Sequence, residues 1–210
     1  MKITSVTAFG ILLFAFVSCK SIVTKDEHAG HDMEKMNNDT TQHATVSADK
    51  EVKAVAILYS NLDAKAAASF KEIVDHYLHV KNALATDNSA EAAIGSKAME
   101  AALVKIDKSI LTAEQKQTYD KIEGGLKETS AAIAKGGENI KLQRGQFVMM
   151  SEAVYELVKD FGAGRPIYHD HCPMARENQG AMWISEIREV KNPYFGSAMP
   201  ACGTVEEVIK

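Results

Sequence analysis

The sequence contains little cysteine, proline or aromatic residue, and neither sign of charge dominates it. Its 210 residues include three cysteines, four prolines and one tryptophan, and aromatic residues make up 7%. The 24 basic residues are outnumbered by 28 acidic ones, which gives no electrostatic indication of nucleic-acid binding. An apolar fraction of 46% suffices for one ordinary hydrophobic core. We therefore expect a globular domain that does not bind nucleic acid.

The common catalytic motifs are also missing from the sequence. It has no glycine-rich phosphate loop, nucleophile elbow, zincin helix or haem-attachment motif. Redox motifs usually place two cysteines close together, whereas Cys172 and Cys202 are thirty residues apart. We therefore do not expect an enzyme.

The first eighteen residues are typical of a signal peptide. Lys2 precedes an apolar run from Ile11 to Val17, far short of the roughly 18–20 residues that span a bilayer. The run ends in Phe16-Val17-Ser18-Cys19, which resembles a bacterial lipobox with phenylalanine in place of the usual leucine. We expect residues 1–18 to be removed and Cys19 to carry a lipid. The protein would then lie in the periplasm or cell envelope, anchored to a membrane.

Residues 19–60 are predicted to form the lipid anchor and a flexible spacer, because the stretch is mostly polar. The spacer contains His28, His31, Met33 and Met36 at close spacing. Thioether sulfur suits Cu(I) and imidazole suits Cu(II), so these four residues form a candidate secondary metal site. The alternative is an ordinary solvated tail.

Residues 61–210 are predicted to form a helical domain. Apolar residues recur at helical spacing in four stripes, which begin at Phe70, Gly95, Tyr119 and Phe147. Asn88 is a candidate N-cap, and Thr112 opens a capping box. The short connections favour antiparallel neighbours, so we expect an all-α fold, an up-down four-helix bundle. From about residue 165 the periodicity ends, and an irregular C-terminal segment is expected to pack on the bundle.

The C-terminal segment carries two sulfur pairs, each interrupted by a proline. Cys172 and Met174 flank Pro173, and Met199 and Cys202 flank Pro200-Ala201. Proline favours extended geometry for its predecessor, and residues two apart in an extended chain point to one side. The two pairs could therefore close on one soft ion, and Cu(I) or Ag(I) fits thiolate and thioether donors. His169 and His171 could add nitrogen, which keeps zinc or Cu(II) open.

A disulfide between Cys172 and Cys202 is the alternative, since two cysteines outside the cytoplasm commonly pair. Closing a loop of thirty residues would contribute about 3–4 kcal/mol. A disulfide needs no methionine beside each cysteine, and for this reason we favour metal binding. The two states are compatible if Cu(I) binds only the reduced pair.

Several motifs resemble a bacterial family known as domain of unknown function thirty-three forty-seven. They begin with Tyr77, Lys81 and Asp87 in the first helix and Arg144, Phe147 and Ser151 in the fourth. They continue with Cys172-Pro-Met-Ala175, Trp183-Ile-Ser185, and the stretch from Asn192 to Gly203. The stretch Asn192–Gly196 looks like a turn that packs the segment on the bundle, and Trp183 like an anchor of the same segment.

The resemblance implies a helical periplasmic domain that occurs as a lipoprotein and on membrane fusion proteins of copper and silver efflux systems. It implies that Cys172, Met174, Met199 and Cys202 handle the metal. From the residues and the resemblance together, we expect a lipoprotein that binds Cu(I) and buffers it or passes it to an efflux system. The alternative is a disulfide-stapled helical protein-interaction module without metal.

Overall fold

The structure is a computed structural model, and it describes residues 52–210. The predictions for the signal peptide, for lipidated Cys19 and for the spacer residues His28, His31, Met33 and Met36 lie outside the described residues. In the described part, no helix is both long enough and apolar enough to cross a membrane.

Four long helices form the bundle: α1 Ala64–Ala85, α2 Ser89–Val104, α3 Ala113–Lys135 and α4 Ile140–Phe161. Consecutive helices pack against each other, and α1 also contacts α4. The predicted caps are confirmed. Asn88 accepts a hydrogen bond from Glu91 N at the start of α2, and Thr112 and Gln115 form the capping box of α3. Each helix buries the apolar stripe that its sequence predicts.

The all-α prediction is wrong, because a four-stranded mixed sheet packs on the bundle. Its strands are β1 Lys53–Val55, β2 Ile167–Cys172, β3 Ala181–Ser185 and β4 Thr204–Ile209, in the order β1-β4-β2-β3. β2 is antiparallel to β3 and β4, and β1 is parallel to β4. A four-residue helical turn, α5 Ala175–Asn178, connects β2 to β3. The predicted irregular C-terminal segment thus contributes three of the four strands of this sheet.

A β-bulge explains why the strand pattern is hidden in the sequence. His169 pairs with Glu207 but the next residue, Asp170, pairs with Val205, so Glu206 is an extra residue in β4. The insertion disturbs the alternation of apolar and polar residues by which a strand is usually recognised. Strands of three to six residues are also too short to compete with the long helical stripes as a sequence signal.

The sheet shares one hydrophobic core with the helices. β3 contacts both α1 and α4, and Trp183 and Ile184 in β3 are fully buried against them. Before α1, the chain at Leu58 and Tyr59 donates backbone hydrogen bonds to the end of α4. Residues 53–59, which fall in the stretch assigned to the spacer, therefore lie against the folded domain.

Candidate metal centre

Buried polar side chains of α1 hold strand β3 against the bundle. The Tyr77 hydroxyl accepts a hydrogen bond from Ile184 N at 3.1 Å and lies 2.8 Å from Ser151 Oγ of α4. Lys81 is fully buried and reaches β3 through Ser185 Oγ at 3.3 Å and the Glu186 carboxylate at 3.1 Å. Burial lowers the pKa of Lys81, although the Glu186 charge opposes this shift. These contacts hold β3, the strand that pairs with the cysteine-bearing strand β2, against α1.

An arginine–aspartate pair holds the loop after β3. Arg144 of α4 donates to Pro193 O at 2.8 Å, to Leu84 O at 2.8 Å and to Asp87 Oδ1 at 2.7 Å. Asp87 in turn accepts from Ser197 N at 2.9 Å. Hydrogen bonds from Ser197 and Arg144 lower the pKa of Asp87 to about 2. We call Arg144, Asp87 and their loop partners the clip.

Asn192 connects this loop to the second cysteine. Its Oδ1 accepts from Tyr194 N at 2.7 Å and from Phe195 N at 3.0 Å, which closes a tight turn. Its Nδ2 donates to Cys202 O at 2.6 Å. Asn192 is itself fully buried. The turn expected at Asn192–Gly196 therefore packs on the bundle, as its resemblance to the family suggests, and also positions Cys202.

The fold brings together the two cysteines that are thirty residues apart in the sequence. Cys172 ends β2 and is fully buried, whereas Cys202 lies in the turn before β4 and is partly exposed. Both are free thiols, and Cys172 lies beside the Cys202 thiol. The hydrogen bond to Cys172, with a smaller contribution from burial, raises the pKa of Cys202 to about 11. A buried thiol and a partly exposed thiol thus lie side by side.

The two candidate methionines lie on the chain beside these cysteines. Met174 follows Cys172 in the turn leading to α5, and about half of its side chain is exposed. Met199 is partly buried, and its carbonyl accepts a hydrogen bond from Cys202 N at 3.3 Å. Met199 is therefore held in one turn with Cys202, whereas Met174 lies on the surface.

The candidate histidines lie on a different face of β2 from Cys172. Neighbouring strand residues point to opposite sides, and Cys172 points into the core. His169 and His171 lie on the opposite face, where only 12% of the His169 side chain is exposed and where their Nδ1 atoms lie 3.6 Å and 3.5 Å from the Glu206 carboxylate. The predicted ligand set is thus divided into a cysteine pair and a histidine pair. As the side chains stand in residues 52–210, no three His, Cys, Asp or Glu residues form a ready metal-binding group.

Comparison with known proteins supports the resemblance over the helices. A family model described as "Protein of unknown function (DUF3347)" matches residues 73–165. Residues 73–165 match the DUF3347 family. No curated protein matches the chain, and no solved structure does. The match ends at Arg165, before both cysteines, and it carries no information about copper or location.

The DUF3347 segment contains the bundle residues that contact the C-terminal segment. Tyr77, Lys81, Asp87 and Arg144 all lie within it, and each bonds to a residue after position 180. Phe147 packs its ring against both Tyr77 and a tyrosine of the loop. The motif residues of the bundle are therefore anchoring points for the segment that carries the cysteines.

Asp170 is a buried carboxylate that was not among the predicted site residues. It lies in β2 between the two histidines, is fully buried, and neither of its oxygens has a hydrogen-bond partner among the described residues. Burial raises its pKa to about 7, while the charge of Lys81 acts in the opposite direction. Trp183 lies opposite Asp170 on β3, and its indole N–H is likewise unpaired within residues 52–210. No sequence signal marks Asp170 as buried, because β2 carries polar residues at 169, 170 and 171 and so lacks an alternation of apolar and polar residues.

Proposed function

We propose that the protein is an extracytoplasmic, lipid-anchored protein that binds Cu(I) and buffers it or passes it to an efflux system. The observation that supports this proposal is the contact between the Cys172 and Cys202 thiols. Cu(I) is a soft ion that prefers thiolate and thioether donors, with silver as a close chemical substitute and zinc as a weaker one. The proposal includes no catalytic activity.

The surroundings of the two thiols suit an ion that is bound and then released. Cys172 is buried, so one ligand is shielded from water and from oxidants, while Cys202 is accessible from outside. Met199 is held in the same turn as Cys202 and is the thioether closest to it along the chain. An ion would enter on the Cys202 side and leave by the same route to a partner.

Cu(I) binding must displace thiol protons, because the thiolate is the ligand. The raised pKa of Cys202 keeps this thiol protonated at neutral pH. Binding to the pair therefore releases protons, and the apparent affinity should rise with pH until the Cys202 thiol ionises by itself.

The test is competition for Cu(I) between the reduced full chain and a chromophoric Cu(I) chelator, without oxygen. The wild type should withdraw about one equivalent, and Cys172→Ser or Met199→Leu should withdraw less. Met149→Leu is the matched control, because Met149 is an exposed methionine of α4 far along the chain from both cysteines. If the reduced wild type does not compete, or if the two site variants compete as well as the control, the proposal is wrong.

The thiol contact also supports a second candidate function, a disulfide-stapled interaction module. A bond between Cys172 and Cys202 would tie β2 to the turn before β4 and close a loop of thirty residues. Mass spectrometry of protein purified without reductant counts the free thiols. A pair that is fully oxidised and resists reduction in the folded protein supports the staple, whereas a readily reduced pair supports Cu(I) binding.

The lipid anchor is tested separately on Cys19. Wild-type cells fed a labelled fatty acid should incorporate the label into the protein and retain it in the membrane fraction. Cys19→Ser should abolish both. Equal labelling of the two forms would contradict the anchor.

A further inference from the structure

We propose a second metal site, built from nitrogen and oxygen donors, on the face of β2 opposite Cys172. Its donors are His169, His171 and Glu206, with Glu207 beside them. Imidazole and carboxylate suit a divalent ion such as Zn(II) or Cu(II), in contrast to the soft donors of the cysteine pair. The site goes beyond the proposed Cu(I) function and uses neither cysteine.

The β-bulge creates this cluster. In a regular strand, neighbours such as Glu206 and Glu207 would point to opposite faces. Because Glu206 is the extra residue in β4, both carboxylates lie 3.6 Å from His169 Nδ1. Glu206 also lies 3.5 Å from His171 Nδ1. Two imidazoles and two carboxylates therefore share one small surface.

Three imidazole–carboxylate separations fall in the range expected around a tetrahedral ion. Metal–ligand distances of about 2.0–2.2 Å place neighbouring donor atoms about 3.3–3.6 Å apart. The imidazole–carboxylate distances of 3.5–3.6 Å lie in this range and are long for hydrogen bonds. His169 Nδ1 is buried and has no hydrogen-bond partner in the described part of the chain. A donor atom is therefore already desolvated and oriented toward the carboxylates.

Neighbouring residues hold the two imidazoles and Glu207 in place. The Tyr155 ring packs on the His169 ring with centroids 4.6 Å apart, and its hydroxyl donates to Glu207. On the other side, His171 packs its Nε2 edge on Gly180, where a Cβ would lie 2.7 Å from that atom. This packing leaves Nδ1 of His171 as the atom that faces Glu206. Such fixed orientation of ligands is usual around metal sites.

One side chain must move to complete the site. Glu206 Oε2 is close to His169 and Glu206 Oε1 is close to His171, so the carboxylate lies between the two rings. About half of the Glu206 side chain is exposed, which leaves it room to swing outward and admit an ion. The ion would then take the place of the carboxylate and keep one of its oxygens as a ligand.

The test uses Co(II), whose visible spectrum reports both coordination number and thiolate ligation. The full chain carries His28→Gln, His31→Gln and His43→Gln, so that the N-terminal imidazoles do not contribute. Titration should show one equivalent bound in a four-coordinate spectrum without a thiolate charge-transfer band. A thiolate band, or no binding at millimolar cobalt, overturns the proposal.

Variants in this background identify the ligands. His171→Gln and the half-exposed Glu206→Gln should each weaken Co(II) binding at least about tenfold, and Tyr155→Phe about tenfold through loss of ligand orientation. His79→Gln is the matched control, because His79 also pairs with a glutamate, at 2.9 Å. Equal affinities in the control, His171→Gln and Glu206→Gln would overturn the site.

A cysteine variant separates this proposal from the Cu(I) proposal. Cys202→Ser should leave Co(II) binding unchanged while it weakens Cu(I) competition. Loss of Co(II) binding in Cys202→Ser would overturn the second site and leave the Cu(I) proposal standing.

Discussion

Substitution of Asp87 by asparagine tests whether the clip couples the C-terminal segment to the bundle. Asp87 lies between α1 and α2 with a backbone φ of 57°, a conformation that asparagine also tolerates. The substitution keeps the shape of the side chain and removes its charge. Ser197 and Arg144 would then donate to a neutral amide oxygen in place of the carboxylate, whose pKa these hydrogen bonds lower to about 2.

The size of the effect follows from this pKa. A decrease in the pKa of Asp87 from 3.8 to about 2 corresponds to roughly 2.5 kcal/mol of differential stabilisation of the ionised carboxylate in the folded state. Since 39% of the Asp87 side chain is exposed, solvent screening reduces the contribution to about 1 kcal/mol. We expect Asp87→Asn to lower the free energy of unfolding by about 1 kcal/mol at neutral pH.

The pH dependence gives the prediction a second, independent signature. A carboxyl group whose pKa is lowered in the folded state contributes its stabilisation above the unfolded pKa of 3.8 and loses it as the pH falls through about 2. The stability difference between wild type and Asp87→Asn should therefore be constant above pH 4 and shrink between about pH 4 and 2.

Urea unfolding followed by two probes measures this difference. The one tryptophan, Trp183, is fully buried in β3 and reports the C-terminal segment, while far-ultraviolet circular dichroism reports the helices. Coincident transitions in wild type indicate that both parts unfold together. A difference that stays the same from neutral pH to about pH 2 would show that the charge of Asp87 does not hold the clip.

Four further substitutions have defined expected outcomes. Gly196→Ala should lower the free energy of unfolding by at least about 2 kcal/mol, because φ is +55° and the new Cβ would overlap the clip. Gly124→Ala should raise the free energy of unfolding by about 0.5–1 kcal/mol, because there is open space around Gly124 in α3. Urea unfolding of both variants checks these two expectations. Tyr77→Phe should lower the free energy of unfolding by about 1–3 kcal/mol, because it leaves the buried amide of Ile184 in β3 without its acceptor. Fast hydrogen exchange at the Ile184 amide would confirm the cause. Cys172→Ala should accelerate alkylation of Cys202 by up to about tenfold near neutral pH, because it removes the neighbouring thiol that raises the pKa of Cys202 to about 11. An unchanged alkylation rate would contradict the thiol contact.

The helices could be predicted from the sequence because their signals are long and local. Each of the four spans sixteen or more residues, with a continuous apolar stripe. The caps at Asn88 and Thr112 are also local, since each side chain bonds within three residues of its own position. Local interactions of this kind are readable without knowledge of the tertiary structure.

The sheet could not be predicted because its signals depend on distant residues. β4 is partnered on one side by β1, about 150 residues earlier, and the bulge at Glu206 becomes visible only when β2 is placed beside it. Both the metal site and the disulfide considered from the sequence require Cys172 and Cys202 to lie together, and the fold places them side by side. The placement of His169 and His171 on the opposite face was not predicted, because it requires knowing that β2 is a strand.

The buried polar groups of the bundle argue that helices and C-terminal segment form one folding unit. The Tyr77 hydroxyl accepts from β3, and the Lys81 ammonium is fully buried with Ser185 and Glu186 as its partners. Without residues 166–210 these groups would lose partners that compensate for their burial, at a cost of about 1–3 kcal/mol for each unpaired group. The DUF3347 match therefore covers a scaffold whose anchoring residues each take at least one partner from the segment beyond it. It follows that the thiol contact is a product of the whole domain, because the same anchored strands and turn that complete the bundle also place Cys202 beside Cys172.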